Sequence, residues 1–297
     1  MKHAPVRHRL EAAAVRSLRA GLGLLPHAAA RSLGRGLGAL AWHLDRRHRR
    51  VAVDNLALAL PELPAEERRR IARGCFRHFG GAVFDTLSAH RFDLVELCRR
   101  TTSEDWMPLI AARQAVAPRG VFVITAHLGM WEHAAHALGG WSGPVHVVGR
   151  PLDNPWLDRD LTALRSRFGN RLLAKRGAVR RMIRAIEAGE TVALLIDQRV
   201  QPQEGIELPF FGRPAWSTPI LASLSLRLGV PVVPGFGFPE PGGRYRVRLR
   251  EAIHPPPGGD PDDEEAVRAL TARYLAAMEA EIRRHPEQWL WMHRRWR

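Results

Sequence analysis

The sequence is poor in cysteine, in lysine and in long apolar runs. Its 297 residues include two cysteines, Cys75 and Cys98, which show neither CxxC nor zinc-type spacing. This argues against a disulfide framework and is compatible with a reducing cytoplasm. No uncharged apolar stretch approaches the roughly 20 residues of a transmembrane helix, because Pro26, His27 and nearby arginines interrupt the first candidate. The same interruption argues against a secretory signal peptide.

What the sequence has in excess is arginine. The formal net charge is +15, from 45 Lys+Arg against 30 Asp+Glu, while 45% hydrophobic residues exclude a disordered chain. Eleven Lys/Arg and two acids fall within residues 1–50, so nine of the fifteen net charges lie there. Such a segment attracts nucleic acid, an anionic membrane surface or acidic substrates.

Leucines at helical spacing distinguish among these partners. Within the basic segment they are Leu33, Leu37, Leu40 and Leu44. The opposite side of the same predicted helix carries Arg31, Arg35 and Arg46. This pattern predicts a basic amphipathic helix that lies in the headgroup plane of a membrane without spanning it. The alternative is a helix packed on its own domain with its charges in water. No aromatic and basic stacking pattern typical of nucleic-acid binding is present.

The remaining chain alternates short apolar runs with longer helical stretches. The runs expected to be strands are 121–126, 145–148, 191–197 and 230–236, and the helices between them are centred on 156–168, 178–189 and 217–228. A further strand with one solvent face is expected over 244–253, and a closing helix over 262–284. This order predicts one α/β domain with a largely parallel sheet flanked by helices. We divide the chain into a basic helical segment, 1–50, and the α/β domain, 51–297.

A histidine and a carboxylate follow the first predicted strand, in the sequence His127-Leu-Gly-Met-Trp-Glu132. The carboxyl ends of parallel strands form the binding crevice of open α/β sheets. If the chain turns at Gly129, the Glu132 carboxylate can bind one imidazole nitrogen and leave the other to take a proton from a hydroxyl. No GxSxG nucleophile motif occurs. A competing hypothesis is a metal site, in which His133 and His136 join Glu132 or His127.

Further polar clusters follow the later strands, and together with His127 they form a family pattern. The ordered motifs are HLGMWE, GRPLDNP, IDQRV, LPFFGRPAWST and PEQWLWMHRRWR. They resemble the bacterial lipid A biosynthesis acyltransferases, the late lauroyl and myristoyl transferases, within the wider H-x4-D/E glycerolipid acyltransferase superfamily. The similarity covers about residues 18–297 and includes VDNLALALPEL at 53–63. Many members have Asn where this chain has Met130.

The resemblance implies roles for particular residues. His127 is then the general base and Glu132 its partner, in a fold like that of glycerol-3-phosphate acyltransferases. Residues expected to bind substrate or support the dyad are Arg150, Asn154, Asp197, Gln198 and Arg199. The resemblance implies no cofactor and no metal.

The expected activity is transfer of a fatty acyl chain from an acyl-acyl carrier protein or acyl-CoA to a hydroxyl of an anionic glycolipid. A late step of lipid A biosynthesis is the first expectation, and another acceptor such as a phosphatidylinositol mannoside or a lysophospholipid is the alternative. Two other classes stay open: a metal-dependent hydrolase and a non-catalytic binder of anionic lipids. The expected location is the cytoplasmic face of the bacterial inner membrane, with peripheral or monotopic attachment and no nucleic-acid partner.

Overall fold

The computed structural model describes residues 5–174 and 177–296. An N-terminal group of helices leads into the part of the chain where helices and strands alternate. The helices are α1 (Val6–Gly23), α2 (His27–Leu44), α3 (Arg46–Ala59), α4 (Ala65–Ser88), α5 (Leu94–Arg100), α6 (Met107–Val116), α7 (Trp131–Ser142), α8 (Pro155–Ser166), α9 (Ala178–Glu187), α10 (Ile220–Leu228) and α11 (Glu264–Arg284).

A seven-stranded sheet forms the centre of the molecule, in the order β1-β9-β8-β2-β5-β3-β4. Its strands are β1 (Thr101–Ser103), β2 (Phe122–Thr125), β3 (Val145–Gly149), β4 (Arg171–Ala174), β5 (Thr191–Leu195), β8 (Val232–Glu240) and β9 (Arg244–Leu249). β8 and β9 pair antiparallel, and the other neighbouring strands pair in parallel. A separate antiparallel hairpin joins β6 (Ile206–Phe210) to β7 (Arg213–Ser217). The predicted single α/β domain with a largely parallel sheet is confirmed.

The central strand β2 is buried on both faces. Phe122 and Ile124 belong to a large apolar cluster on one face, and Val121 and Val123 belong to a second cluster on the other. This is the period of two that a strand imposes when helices cover both sides of a parallel sheet. β9 instead alternates exposed or half-buried residues with buried ones, so its predicted solvent face is confirmed.

Helix α2 packs on α4 through glycines and not through its leucines. A Cβ on Gly34 would lie 2.4 Å from the carbonyl oxygen of Gly80, and one on Gly38 would lie 2.2 Å from that of Phe76. The two backbones therefore approach as closely as only glycine permits. The leucines of the predicted stripe therefore point outward and are 45–72% exposed: Leu33, Leu37, Leu40 and Leu44.

Asp45 separates α2 from α3. Its carboxylate accepts a hydrogen bond from the backbone N–H of His48 at 3.0 Å and so caps α3. The expectation that Arg46 shares a helix with the leucine stripe is therefore wrong, because Arg46 begins α3. The boundary that we drew between residues 50 and 51 therefore falls inside α3. Within the described residues, no helix combines the length and the apolarity needed to cross a bilayer.

Candidate active site

His127 lies just beyond the carboxyl end of β2, where the chain makes a tight turn. Gly129 has a φ of 63°, and a Cβ there would lie 2.0 Å from the carbonyl oxygen of Gly237. Gly129 N–H donates to Gln288 at 3.0 Å, and Met130 N–H donates to Gly237 at 2.7 Å. The turn is thus clamped between β8 and the C-terminal segment, which fixes the position of His127.

The carboxylate that binds the His127 ring is Asp197, which follows β5. His127 Nδ1 lies 2.9 Å from Asp197 Oδ1, while the other carboxylate oxygen accepts the backbone N–H of His127 and the indole N–H of Trp289, each at 2.8 Å. β5 is the immediate neighbour of β2, so the two side chains leave adjacent strands at one edge. Because the carboxylate accepts, Nδ1 carries the hydrogen, and Nε2 of the neutral ring keeps its lone pair.

The prediction that the Glu132 carboxylate binds the His127 ring is wrong. Glu132 lies in the first turn of α7, and its carboxylate is bound by Arg165 of α8, with Nε at 3.0 and 3.2 Å from the two oxygens and Nη2 in a further contact. The turn at Gly129 and the start of α7 at Trp131 separate Glu132 from His127 along the chain. His127 therefore has Asp197 as its direct partner, and Glu132 forms a second, partly buried ion pair with Arg165.

In each of the two pairs, the charge of the partner outweighs the effect of burial on the pKa. Burial opposes protonation of His127, but the charge and hydrogen bond of Asp197 outweigh it and raise the pKa of the imidazole above its ordinary value. Burial likewise opposes ionisation of Glu132, but Arg165 outweighs it and the pKa of the carboxyl is lowered. The pKa of Asp197 is also lowered, since His127 and Trp289 together exceed the cost of its burial. Both carboxylates are ionised at neutral pH.

The residues next to Asp197 also approach the histidine. Gln198 Nε2 lies 3.5 Å from His127 Nε2, at the limit of a hydrogen bond. Arg199 donates its backbone N–H to His293 Nε2 at 3.3 Å. The structure thus places Gln198 beside Nε2 of His127 and ties Arg199 to the C-terminal segment.

Two of the predicted binding residues lie elsewhere. The Arg150 side chain is 81% exposed and pairs with Asp153 at 3.2 Å. Asn154 is buried as the N-cap of α8, where its Oδ1 accepts from the backbone of Trp156 at 3.0 Å. Its Nδ2 donates to the carbonyl of His8 at 2.9 Å. Among the described hydrogen bonds and ion pairs, neither side chain contacts His127, Glu132 or Asp197, and a substrate-binding role for them stays a prediction.

The histidines of the competing metal hypothesis have other partners. His133 Nε2 lies 3.2 Å from Asp85 of α4, and its ring stacks on Tyr245 at 4.2 Å. His27 of α2 reaches the same carboxylate at 3.0 Å, so Asp85 connects α2, α4 and α7. His136 contacts Phe168 edge-on. In the part of the chain that the structure describes, no group of three or more His, Cys, Asp or Glu residues is placed to hold a metal ion.

An apolar groove opens beside the turn that carries His127. It has a volume of about 210 Å³ and runs between α4, the start of α7 and α8. Its apolar walls include Ala82, Val83, Leu87, Met130, Leu161 and Leu164. Gly129 and Glu132 also line it, so the groove reaches the turn that carries His127. A long aliphatic chain fits such a surface better than a polar ligand does.

Sequence reasoning missed Arg165 and Trp289. Arg165 lies within an ordinary helical stretch, and nothing in its spacing marks it as the partner of Glu132. Trp289 belongs to the C-terminal motif that carried the family resemblance, but the motif alone does not say which side chain turns inward. In the structure Trp289 is 1% exposed and donates to Asp197.

Comparison with known proteins identifies the class to which this fold and site belong. Residues 6–297 match the sequence model of the family described as bacterial lipid A biosynthesis acyltransferase. The protein is therefore an acyltransferase enzyme. It belongs to the bacterial lipid A biosynthesis acyltransferase family, as the ordered motifs predicted.

Individual relatives agree over most of their length. The chain is 29% identical over 267 residues to the lipid A biosynthesis lauroyltransferase of Escherichia coli (strain K12), covering 88% of this chain and 82% of that protein. The lipid A biosynthesis palmitoleoyltransferase of the same strain is 29% identical over 266 residues with the same coverage. A lipid A biosynthesis acyltransferase of Haemophilus influenzae is 27% identical over 280 residues, covering 92% of this chain and 86% of the relative.

Proposed function

We propose that this protein transfers a fatty acyl chain from an acyl thioester, acyl-acyl carrier protein or acyl-CoA, to a hydroxyl of an anionic glycolipid. The names of its relatives make a lipid A precursor the first acceptor to test. The observation that carries the proposal is the His127 and Asp197 pair, which presents a basic Nε2 at the edge of the sheet beside an apolar groove.

The proposed reaction needs no covalent intermediate on the protein. His127 Nε2 takes the proton of the acceptor hydroxyl as its oxygen attacks the thioester carbonyl. The tetrahedral intermediate collapses by breaking the carbon–sulfur bond, and the departing thiolate takes the proton back from Nε2. The products are an ester and a free thiol. Asp197 holds the productive tautomer and stabilises the imidazolium between the two proton transfers.

The first turn of α7 is suited to stabilising the oxyanion of the intermediate. The first hydrogen bond within this helix runs from Ala134 N–H to Met130 C=O, so the preceding N–H groups of α7 have no helical acceptor. The Trp131 ring lies 5.4 Å from that of His127, which brings this turn close to the base. Backbone N–H groups at a helix N-terminus favour negative charge.

Glu132 and Arg165 support the site as a pair. Their bidentate contact fixes α8 against α7 next to the apolar groove. The Glu132 charge also favours protonated His127, and the Arg165 charge opposes it. We therefore assign Glu132 the role of positioning Arg165 and the groove wall. The groove would receive the alkyl chain of the donor.

The proposed location is the cytoplasmic face of the bacterial inner membrane. The exposed leucines of α2 offer an apolar stripe to the acyl region, and the surrounding arginines offer charge to anionic headgroups. Attachment would be peripheral or monotopic.

The deciding experiment incubates the purified protein with acyl-acyl carrier protein or acyl-CoA donors and a panel of acceptor lipids. Mass spectrometry should show a gain of one acyl chain on a lipid A precursor, and a gain on a mannolipid or lysophospholipid instead would name the other acceptor. His127→Ala should lower the rate by about 10²–10⁴-fold, the usual contribution of a general base.

The matched control is His254→Ala, which removes an exposed histidine and should leave the rate unchanged. A His127→Ala enzyme with the rate of the natural protein would disprove the mechanism. Dependence of the rate on an added metal would favour the hydrolase alternative.

A further inference from the structure

A second cavity shares no lining residue with the catalytic edge. It has a volume of about 510 Å³ and is formed by the end of α2, the start of α3 and the first half of α4. Its lining includes Trp42, Arg46, Arg49, Arg50, Arg69 and Arg73, and we call it the arginine pocket. Among the described residues that line it, Asp54 is the one carboxylate. Five guanidinium groups thus share a concave surface with a single acid.

Trp42 forms the base of the arginine pocket and holds two of its cations. The indole is 6% exposed and packs edge-on against Phe76 at 5.5 Å. The guanidinium carbons of Arg49 and Arg73 each lie 5.7 Å from the centre of the indole ring. Arg49 also donates to the Trp42 carbonyl at 3.1 Å. Cation–π contacts orient these guanidinium groups without neutralising them.

Most of this charge has no ion-pair partner among the residues that the structure describes. Over residues 5–174 and 177–296, the pocket arginine that pairs with a carboxylate is Arg69, and Arg46, Arg50 and Arg73 form no such pair. Arg69 pairs with Glu66 at 3.3 Å, but both side chains are more than half exposed, and such pairs contribute little. Like charges held together in this way repel one another until an anion joins them.

The start of α3 places part of this positive charge at a helix N-terminus, where the helix dipole is unfavourable to it. Its first turn contains no acid and begins with two arginines, whereas the first turns of α4 and α11 contain acids: Glu66 and Glu67, and Glu264 and Glu265. Helix N-termini favour negative groups and disfavour cations. The capping residue Asp45 is engaged with His48 at 2.6 Å.

The leucine stripe of α2 ends close in sequence to the first arginine of the arginine pocket. Leu44, which is 72% exposed, lies two residues before Arg46. An apolar stripe followed by a cationic cavity matches the order of acyl chains and phosphates across a membrane surface. We propose that the arginine pocket binds the phosphate of an anionic lipid headgroup while the stripe rests in the acyl region. This inference rests on the membrane association in the proposed function, and it adds a specific phosphate site.

Phosphate is the chemistry that arginine recognises best. Guanidinium groups donate paired N–H bonds to phosphate oxygens, and several of them around one cavity neutralise a phosphate monoester. A diffuse basic surface would instead respond to membrane charge of any kind and would be screened by salt. Binding that depends on the phosphate group itself therefore distinguishes a pocket from a surface.

The test measures sedimentation of the full chain with vesicles. Phosphatidylcholine vesicles contain either phosphatidic acid or oleate, adjusted to equal surface charge, so that phosphate and carboxylate are compared. The natural protein should prefer the phosphatidic acid vesicles. Arg50→Gln/Arg73→Gln should weaken binding to these vesicles by at least about tenfold and abolish the preference.

The matched control removes the same charge from the same two helices outside the arginine pocket. Arg47→Gln/Arg77→Gln should keep the preference, with binding weakened by less than about threefold. Inorganic phosphate provides a second readout, since it should raise the melting temperature of the natural protein and the control but not of the pocket variant. A higher melting temperature for the pocket variant in phosphate-free buffer would also support the proposal, because repulsion is relieved.

Equal losses in the two double variants would overturn the proposal, because only diffuse attraction would remain. Loss of acyl carrier protein binding with unchanged vesicle binding would overturn it in favour of a protein partner. Protection by inorganic phosphate without any vesicle preference would overturn the lipid part of the proposal and leave a site for free phosphate.

Acyl transfer to detergent-dispersed acceptor should persist in the pocket variant. Absence of transfer in the natural protein would instead count against the proposed function.

Discussion

The edge of the sheet around His127 and the outer surface of the N-terminal helices differ in how their charged groups are paired. At the edge, His127 has Asp197, Asp197 has Trp289, and Glu132 has Arg165. On the helices, the leucines of α2 are exposed and the arginine pocket has five cations for one carboxylate. In the first region, each of these charged groups has a partner among the described residues. In the second, most of the cations have no ion-pair partner there, which is typical of a surface that binds something outside the chain.

The largest effect on activity should follow from removing the charged partner of His127. Asp197→Asn keeps the shape of the side chain but removes the charge that stabilises the imidazolium, and it no longer enforces the tautomer with hydrogen on Nδ1. We expect the turnover number to fall by about 10³–10⁴-fold. The measurement is single-turnover acyl transfer, with folding checked by circular dichroism.

The same variant should shift the pH dependence of the residual activity. Asp197 raises the pKa of His127, and the base must be unprotonated to act. Without the Asp197 carboxylate, burial and Arg165 lower that pKa against the remaining charge of Glu132, so the acidic limb of the pH–rate profile should move to lower pH. A limb that stays in place or moves upward would show that another group titrates there.

A smaller effect should follow from the contact that turns the leucines outward. Gly38→Val places side-chain atoms against the Phe76 carbonyl and must push α2 away from α4. We expect a loss of about 2–3 kcal/mol of stability, measured by urea unfolding. Gly36→Ala is the matched control, since a Cβ there meets nothing within 4 Å and alanine favours a helix. Equal stability of the two variants would contradict the assigned packing.

The smallest effect should appear at the leucine stripe itself. Leu37→Ser/Leu40→Ser removes two half-exposed side chains without touching the core, so unfolding should be unchanged. Partition to vesicles should fall by about tenfold for neutral and anionic lipids alike, because the loss is one of apolar area. Val179→Ser on α9 is the control, and vesicle sedimentation is the measurement. Unchanged partition would place the membrane contact elsewhere.

Much of the fold could be predicted from the sequence because buried parallel strands are short, apolar and separated by helices. The predicted run 121–126 became β2, and the run 191–197 became β5 with Asp197 just beyond it. The strands that the sequence did not predict are brief or lie at an edge or in a hairpin: β1, β4, β6 and β7. Their pairing depends on contacts with distant strands, which local composition does not report.

The sequence indicated which residues form the site, but not which carboxylate is the hydrogen-bond partner of His127. Strand ends indicated His127 and Asp197, yet the short spacing to Glu132 favoured the wrong carboxylate as the partner of the ring. Sequence spacing says which groups are near along the chain, whereas β2 and β5 lie side by side across the sheet. The family motifs contained the correct partner, and only the three-dimensional neighbourhood showed how it is used.

The hydrogen bond from Trp289 to Asp197 has a consequence for the order in which the protein is made. His127 leaves the ribosome first, Asp197 follows, and Trp289 emerges 92 residues after its acceptor. A nascent chain that has reached only α11 contains His127 and Asp197 but not the indole that donates to the Asp197 carboxylate. The enzyme should therefore gain its activity late in synthesis, when the sheet is already assembled and the segment after α11 folds back across its edge.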